Sequence, residues 1–196
     1  MKNYKGPIAL FLCLFSTMAY TQSLSSLSLE FAIPNSYDGL ILSPSAQFDA
    51  NNHTWSIGPT VLFSFGDQIE QRDGTKLTGL YAGYSNFPQG REGKVNMFYG
   101  FGLWAQRVKD EQNSQFFNNA TSSFEDITIE QKDNIIQFFV NLGIAINLTD
   151  KLAVKQVIGT GLNATSRTTT SPFDDFDDTF YSQDWLLKTS LTFRLN

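Results

Sequence analysis

Side chains able to do chemistry are sparse in this 196-residue chain, which carries one histidine, His53, and one cysteine, Cys13. His53 stands beside Asn51 and Asn52 with no serine and glutamate pattern around it, so it reads as a solvated turn residue rather than a general base. Cys13 lies inside the apolar run Ile8 to Phe15 and follows Phe11-Leu12, not the small residues a lipid-attachment site wants. No set of His and Cys has the spacing of a metal site. Asp174, Asp175, Asp177 and Asp178 cluster near the C-terminus, interleaved with Phe173 and Phe176. Such carboxylates could hold a divalent cation, but the glycine and terminal glutamate of a calcium loop are missing. A solvated acidic loop is the preferred reading. No catalytic residue, cofactor or metal is therefore expected.

The remaining charges of interest lie in segments of alternating polarity. Residues 1–21 have the form of a secretory signal peptide: Lys2 and Lys5, a short apolar run, then small residues that allow cleavage after Ala19 or Thr21. Residues 22–196 form the expected mature domain. It lacks cysteine and carries twelve basic against nineteen acidic residues, a net charge of −7. That balance excludes a nucleic-acid partner, which needs a basic stripe.

Period-two alternation recurs eight times, predicting strands at about 24–33, 40–49, 54–66, 77–86, 94–108, 132–148, 152–166 and 180–195. In the last, Trp185, Leu187, Thr189, Leu191, Phe193 and Leu195 share one face, while Lys188, Ser190, Thr192 and Arg194 share the other. The polar faces hold Ser, Thr, Asn and Gly with few charges: Glu30, Asp49, Lys155, Lys188 and Arg194. A water-facing exterior is normally richer in Lys and Glu. The pattern therefore predicts an all-β, eight-stranded antiparallel up-and-down barrel that crosses a membrane with its polar face inward.

Gaps between the strands alternate in length. Ala50–His53, Phe87–Gly93 and Thr149–Lys151 are short, whereas Asp67–Lys76, Lys109–Gln131 and Arg167–Thr179 are long; of the gaps on the long side only the first, Pro34–Gly39, is short. Short turns on one side and long loops on the other are the asymmetry of such barrels. Aromatic girdles are expected at both rims: Phe48, Trp55, Tyr84 and Phe193 at one, Phe31, Phe65, Phe138 and Trp185 at the other. Closure makes the first and last strands neighbours, which predicts a lumen ion pair between Glu30 and Lys188. Inward Tyr81, Phe98, Trp104 and Phe139 would help to fill the interior. Phe124–Glu130 and Arg167–Thr170 continue the alternation and could extend two hairpins into solvent.

With these features the chain resembles the small outer-membrane barrels typified by OmpX and the membrane domain of OmpA, and in particular the outer-membrane β-barrel domain proteins of Bacteroidota. The closing segment Leu186–Asn196 is similar to the terminal strand that such proteins present to the barrel-assembly machinery, although Phe193 lies three positions before the end. The resemblance implies a bacterial outer-membrane protein without enzymatic activity. It would be surrounded by lipid and lipopolysaccharide and would meet any protein partner through its external loops. A secretion or assembly accessory and a narrow channel stand as alternatives, and a secreted soluble lipocalin-like barrel as a more distant one. Lipid A deacylases of similar architecture use a Ser-His-Glu group facing the outer leaflet, and His53 falls at the opposite end.

Overall fold

The computed structural model describes residues 24–34, 39–64, 76–118, 123–170 and 175–195. They form β1 (Leu24–Pro34), β2 (Gly39–Ala50), β3 (His53–Ser64), β4 (Lys76–Asn86), β5 (Val95–Asn118), β6 (Ser123–Asn147), β7 (Leu152–Thr170) and β8 (Asp175–Arg194). Each strand pairs antiparallel with the next, and β1 pairs with β8, closing an eight-stranded barrel. The seam runs from Ser26↔Arg194 to Pro34↔Leu186. The signal-like segment 1–21 lies outside the described residues.

Local chemistry explains the turns at the short-turn end. Asn51 and Asn52 make a two-residue link between β2 and β3, and Asn51 takes φ 52°, a left-handed conformation that asparagine tolerates. Between β4 and β5 the chain turns through Gly90 at φ 82°, a region glycine enters without steric cost.

At the other end the hairpins extend past the eight core segments, along the continued alternation of Phe124–Glu130 and Arg167–Thr170. The β5–β6 ladder continues unbroken to Asn118↔Ser123, and β7–β8 continues to Thr170↔Asp175. Most of the expected loop 109–131 is therefore strand. In one cross-strand row Arg107, Asn134, Ser166 and Thr179 are neighbours and all polar. Beyond that row the ladder hydrogen bonds persist, and Ile127 and Ile129 still alternate with the exposed Asp126, Thr128 and Glu130.

Below that row the pleat sorts the side chains. Ser26, Ser28, Glu30, Ser43, Ser45, Gln47, Asn141, Lys188, Ser190 and Thr192 are buried inside the barrel. Leu29, Leu80, Met97, Leu142, Ile158, Leu162 and Leu187 are exposed on its outside. Inward glycines make room for inward rings: a Cβ at Gly83 would collide with the Tyr81 hydroxyl, and one at Gly143 with the Phe98 ring.

Candidate functional site

Two surfaces of the barrel carry its chemistry, the exterior wall and the lumen. On β6 the outward residues Ile136, Phe138, Val140, Leu142, Ile144 and Ile146 are all apolar. The ten steps from Ile136 to Ile146, at about 3.3 Å each on strands tilted by ~40°, give a band roughly 25 Å tall, the height of the apolar band of a membrane barrel. The inward neighbours Gln137 and Asn141 are buried. This is the inverse of a water-soluble barrel, whose apolar residues line the inside.

Several aromatic residues on this wall touch one another across neighbouring strands. Trp55 and Tyr84 lie 4.6 Å apart by ring centroid, Tyr84 and Phe101 5.2 Å, and Phe101 and Phe138 6.1 Å. These contacts make one stripe that climbs across β3–β6. Phe65 lies outside the described residues. His53 belongs to the lower end of the stripe, where its Nδ1 is 2.7 Å from the Tyr84 hydroxyl and its ring stacks on Tyr84. It is the first residue of β3, half-buried, rather than a freely solvated turn residue.

The lumen is filled in layers. Ala32, Ile41, Tyr81, Trp104, Phe139 and Leu186 form an apolar plug, and all four aromatics expected inside are buried. Phe87, Phe98, Ala145 and Val157 form a second plug nearer the short-turn end. Phe87 comes from the β4–β5 turn, not from a strand, so strand alternation gives no sign of it.

Between the plugs lies a polar network. Lys188 Nζ donates to Glu30 Oε2 at 2.6 Å and to the Tyr81 hydroxyl at 2.9 Å. Ser45 Oγ donates to Glu30 Oε1 at 3.0 Å, and Ser56 Oγ donates to the Tyr81 hydroxyl at 3.5 Å. The structure thus brings Glu30 and Lys188 together and ties them into five strands. Each charge meets its opposite and further hydrogen-bonding groups, the condition under which buried ions are tolerated.

Asp49 and Lys155, two further charges of the polar faces, do not pair with each other. Asp49 Oδ1 lies 2.6 Å from Arg91 Nη1 and accepts from Thr54 Oγ1 at 2.8 Å. Lys155 Nζ donates to Gln47 Oε1 at 3.0 Å. Arg91 and Lys155 both approach the Phe87 ring, at 5.4 and 5.9 Å from its centroid. Arg91, like Phe87, comes from the β4–β5 turn and has no periodic signature.

Toward the long hairpins, Gln137 Nε2 donates to Asp184 Oδ2 at 2.9 Å, and Asp184 Oδ1 accepts from the Trp185 backbone. Asp184 sits on the polar face of β8 and could have been found by extending that face one step past Leu186. Higher still, Arg167 donates to both carboxylate oxygens of Asp133 at 2.9 Å. The hydrogen bonds to Asp133 raise the Arg167 pKa above its ordinary value.

The acidic cluster is not a loop. Asp175, Asp177 and Asp178 lie in β8 opposite Thr170, Thr168 and Arg167, and Asp174 falls outside the described residues. The β-branched threonines of β7 suit a strand and extend the ladder. Successive strand residues point to opposite faces, so Asp177 and Asp178 do not converge on one ion. Among the described residues, no three His, Cys, Asp or Glu side chains gather as metal ligands.

No protein-family description matches the chain, and no curated protein matches it significantly. Among solved structures, the Neisserial surface protein A (NspA) is similar at 12% identity and TM-score 0.49, covering 87% of this chain and 94% of that one. A major outer membrane protein from Thermus thermophilus is similar at 14% identity and TM-score 0.49, covering 88% and 100%.

Proposed function

We propose that this chain is a non-enzymatic barrel of a bacterial outer membrane, acting as a structural or interaction protein through its long hairpins. The observation that carries the reading is the inverted sorting of the wall: apolar residues outside over a band of bilayer height, polar and charged residues inside. Exposing Leu80, Leu142, Ile158 and Leu162 to water would forfeit the burial that stabilises a soluble fold. Lipid covers them at no such cost. Lipid and lipopolysaccharide are then the surrounding partners, and the barrel-assembly machinery inserts a chain exported by its residues 1–21.

The packed lumen favours a structural or interaction role over conduction. Tyr81, Trp104 and Phe139 occupy the bore, and Glu30 and Lys188 engage each other. The polar β5–β6 and β7–β8 hairpins stand beyond the apolar band, where a protein partner could reach them.

An outer-membrane fraction run on an SDS gel with and without boiling tests this proposal. A compact, membrane-bound barrel migrates faster unboiled. Absence from that fraction, with no change in mobility, contradicts it.

A further inference from the structure

Although the chain is acidic, cations gather on its outer face where β5 and β6 leave the apolar band. The register pairs Arg107 with Asn134 and, one outward step higher, Lys109 with Lys132. These side chains face away from the lumen, since their inward neighbours Gln106 and Asp133 are buried. Like charges set directly opposite each other destabilise a ladder. Glu130 stands one outward step above Lys132, 3.0 Å from its Nζ. Arg107 Nε donates to the neutral Asn134 Oδ1 at 3.0 Å, and neither Arg107 nor Lys109 pairs with a carboxylate among the described residues. Arg107, Lys109 and Lys132 against Glu130 leave two positive charges unmatched. Lys76 and Glu111 hold the flanking register positions and are opposite in sign.

The height of this cluster selects what can meet it. Ala105 and Ile136 are the last outward apolar residues of β5 and β6 before the charges begin. Arg107 lies two residues past Ala105, and each lysine lies four past Ala105 or Ile136, so they stand roughly 5 and 10 Å higher on tilted strands. A headgroup layer fills about 5–8 Å outside the hydrocarbon on each side. Lysine stems lie along apolar surface while their ammonium groups stay in the polar layer. Directly below Arg107, small Ala105 sits between the exposed Leu80 and Ile136 in one cross-strand row, leaving a shallow slot the width of an acyl chain. An acidic protein approaching from outside meets the exposed Glu130 first, whereas a lipid reaches the same cations from below.

We propose that this face of β5 and β6 binds the phosphomonoester group of an outer-leaflet lipid. This inference rests on the outer-membrane reading and adds to it a lipid class and a place. Arg107, Lys109 and Lys132 surround the phosphate, and an acyl chain lies over Ala105. A phosphomonoester carries about −1.5 to −2 at neutral pH, which balances the two unmatched charges, while a phosphodiester brings only about −1. Arg107 uses Nε alone on Asn134, so its terminal nitrogens remain for phosphate oxygens, a pairing that guanidinium geometry favours.

The test uses the full-length mature chain refolded in detergent micelles that hold equal amounts of phosphatidic acid, a phosphomonoester lipid, and phosphatidylglycerol with the same acyl chains. Native mass spectrometry reads which lipid stays bound. Phosphatidic acid should be retained about tenfold over phosphatidylglycerol, as one or two extra ionic contacts allow. Arg107→Gln combined with Lys109→Gln should abolish that preference, and Lys151→Gln at the short-turn end should leave it intact. Unboiled gel mobility, unchanged in every variant, shows that the barrel still folds. Equal retention of the two lipids by the unmodified chain overturns the site. So does a preference that survives the Arg107 and Lys109 changes, or one that Lys151→Gln removes as well. Displacement of the lipid by excess inorganic phosphate overturns the lipid as the ligand. An unmodified chain with no compact form on the unboiled gel overturns the outer-membrane reading too.

Discussion

Glu30 and Lys188 meet diagonally across the β1–β8 seam. The ladder pairs Glu30 with Ser190 and Lys188 with Ala32, yet Lys188 Nζ lies 2.6 Å from Glu30 Oε2. The contact locks the one seam that joins the two ends of the chain. It also ties the closure to Tyr81 on β4 and Ser45 on β2.

Removing one partner should therefore cost far more than removing both. Glu30→Gln leaves Lys188 buried beside a neutral amide and should lose about 3 kcal/mol of refolding stability in urea, in the range for a broken buried pair. Lys188→Met should lose a similar amount, and the double variant should recover a large part of it. Strict additivity in this double-mutant cycle would mean that the two charges act independently.

The height of the apolar band can be tested with one substitution made at two levels. Leu142 and Phe176 are both well exposed, but Leu142 lies inside the band and Phe176 lies past the polar row at Thr179. Leu142→Arg should cost ~2–4 kcal/mol in lipid refolding, as expected for arginine near the midplane. Phe176→Arg should stay within about 0.5 kcal/mol, as surface changes do. Equal effects at the two sites would contradict the band.

Much of this was legible in the sequence, and the parts that were not have physical reasons. Eight strands and their faces follow from alternation, because one face meets the polar lumen and the other an apolar exterior. The hairpin extensions past Lys109 and Lys132 were only partly legible, from the alternation in Phe124–Glu130, since the facing segment Asp110–Gln115 is polar throughout. Strand adjacency suggested Glu30 and Lys188, but the diagonal contact depends on a register that only the closed sheet defines. Arg91 and Phe87 come from a turn with no period, so their return to the lumen mouth left no pattern.

The Arg167–Asp133 pair should protect the base of the β7–β8 hairpin. Asp133→Asn should raise the rate of trypsin cleavage after Arg167 several-fold while the strands below this pair stay resistant. Because the Arg167 pKa is raised, its contribution is fully present below the ordinary arginine value and is lost only as pH climbs past the folded one. Protection in the unmodified chain should hence be unchanged from neutral to mildly alkaline pH. A loss within that window would implicate a different group.

The central claim is that the apolar face looks into lipid, and the three tryptophans offer the most direct measurement. Trp185 is 61% exposed on the outside, whereas Trp104 is 1% exposed in the lumen. Single-tryptophan chains made by Trp→Phe replacement would be refolded into vesicles whose acyl chains are brominated near the headgroup end. The account predicts strong quenching of Trp185 and little of Trp104. Quenching of Trp104 with Trp185 spared, or of neither, would contradict it.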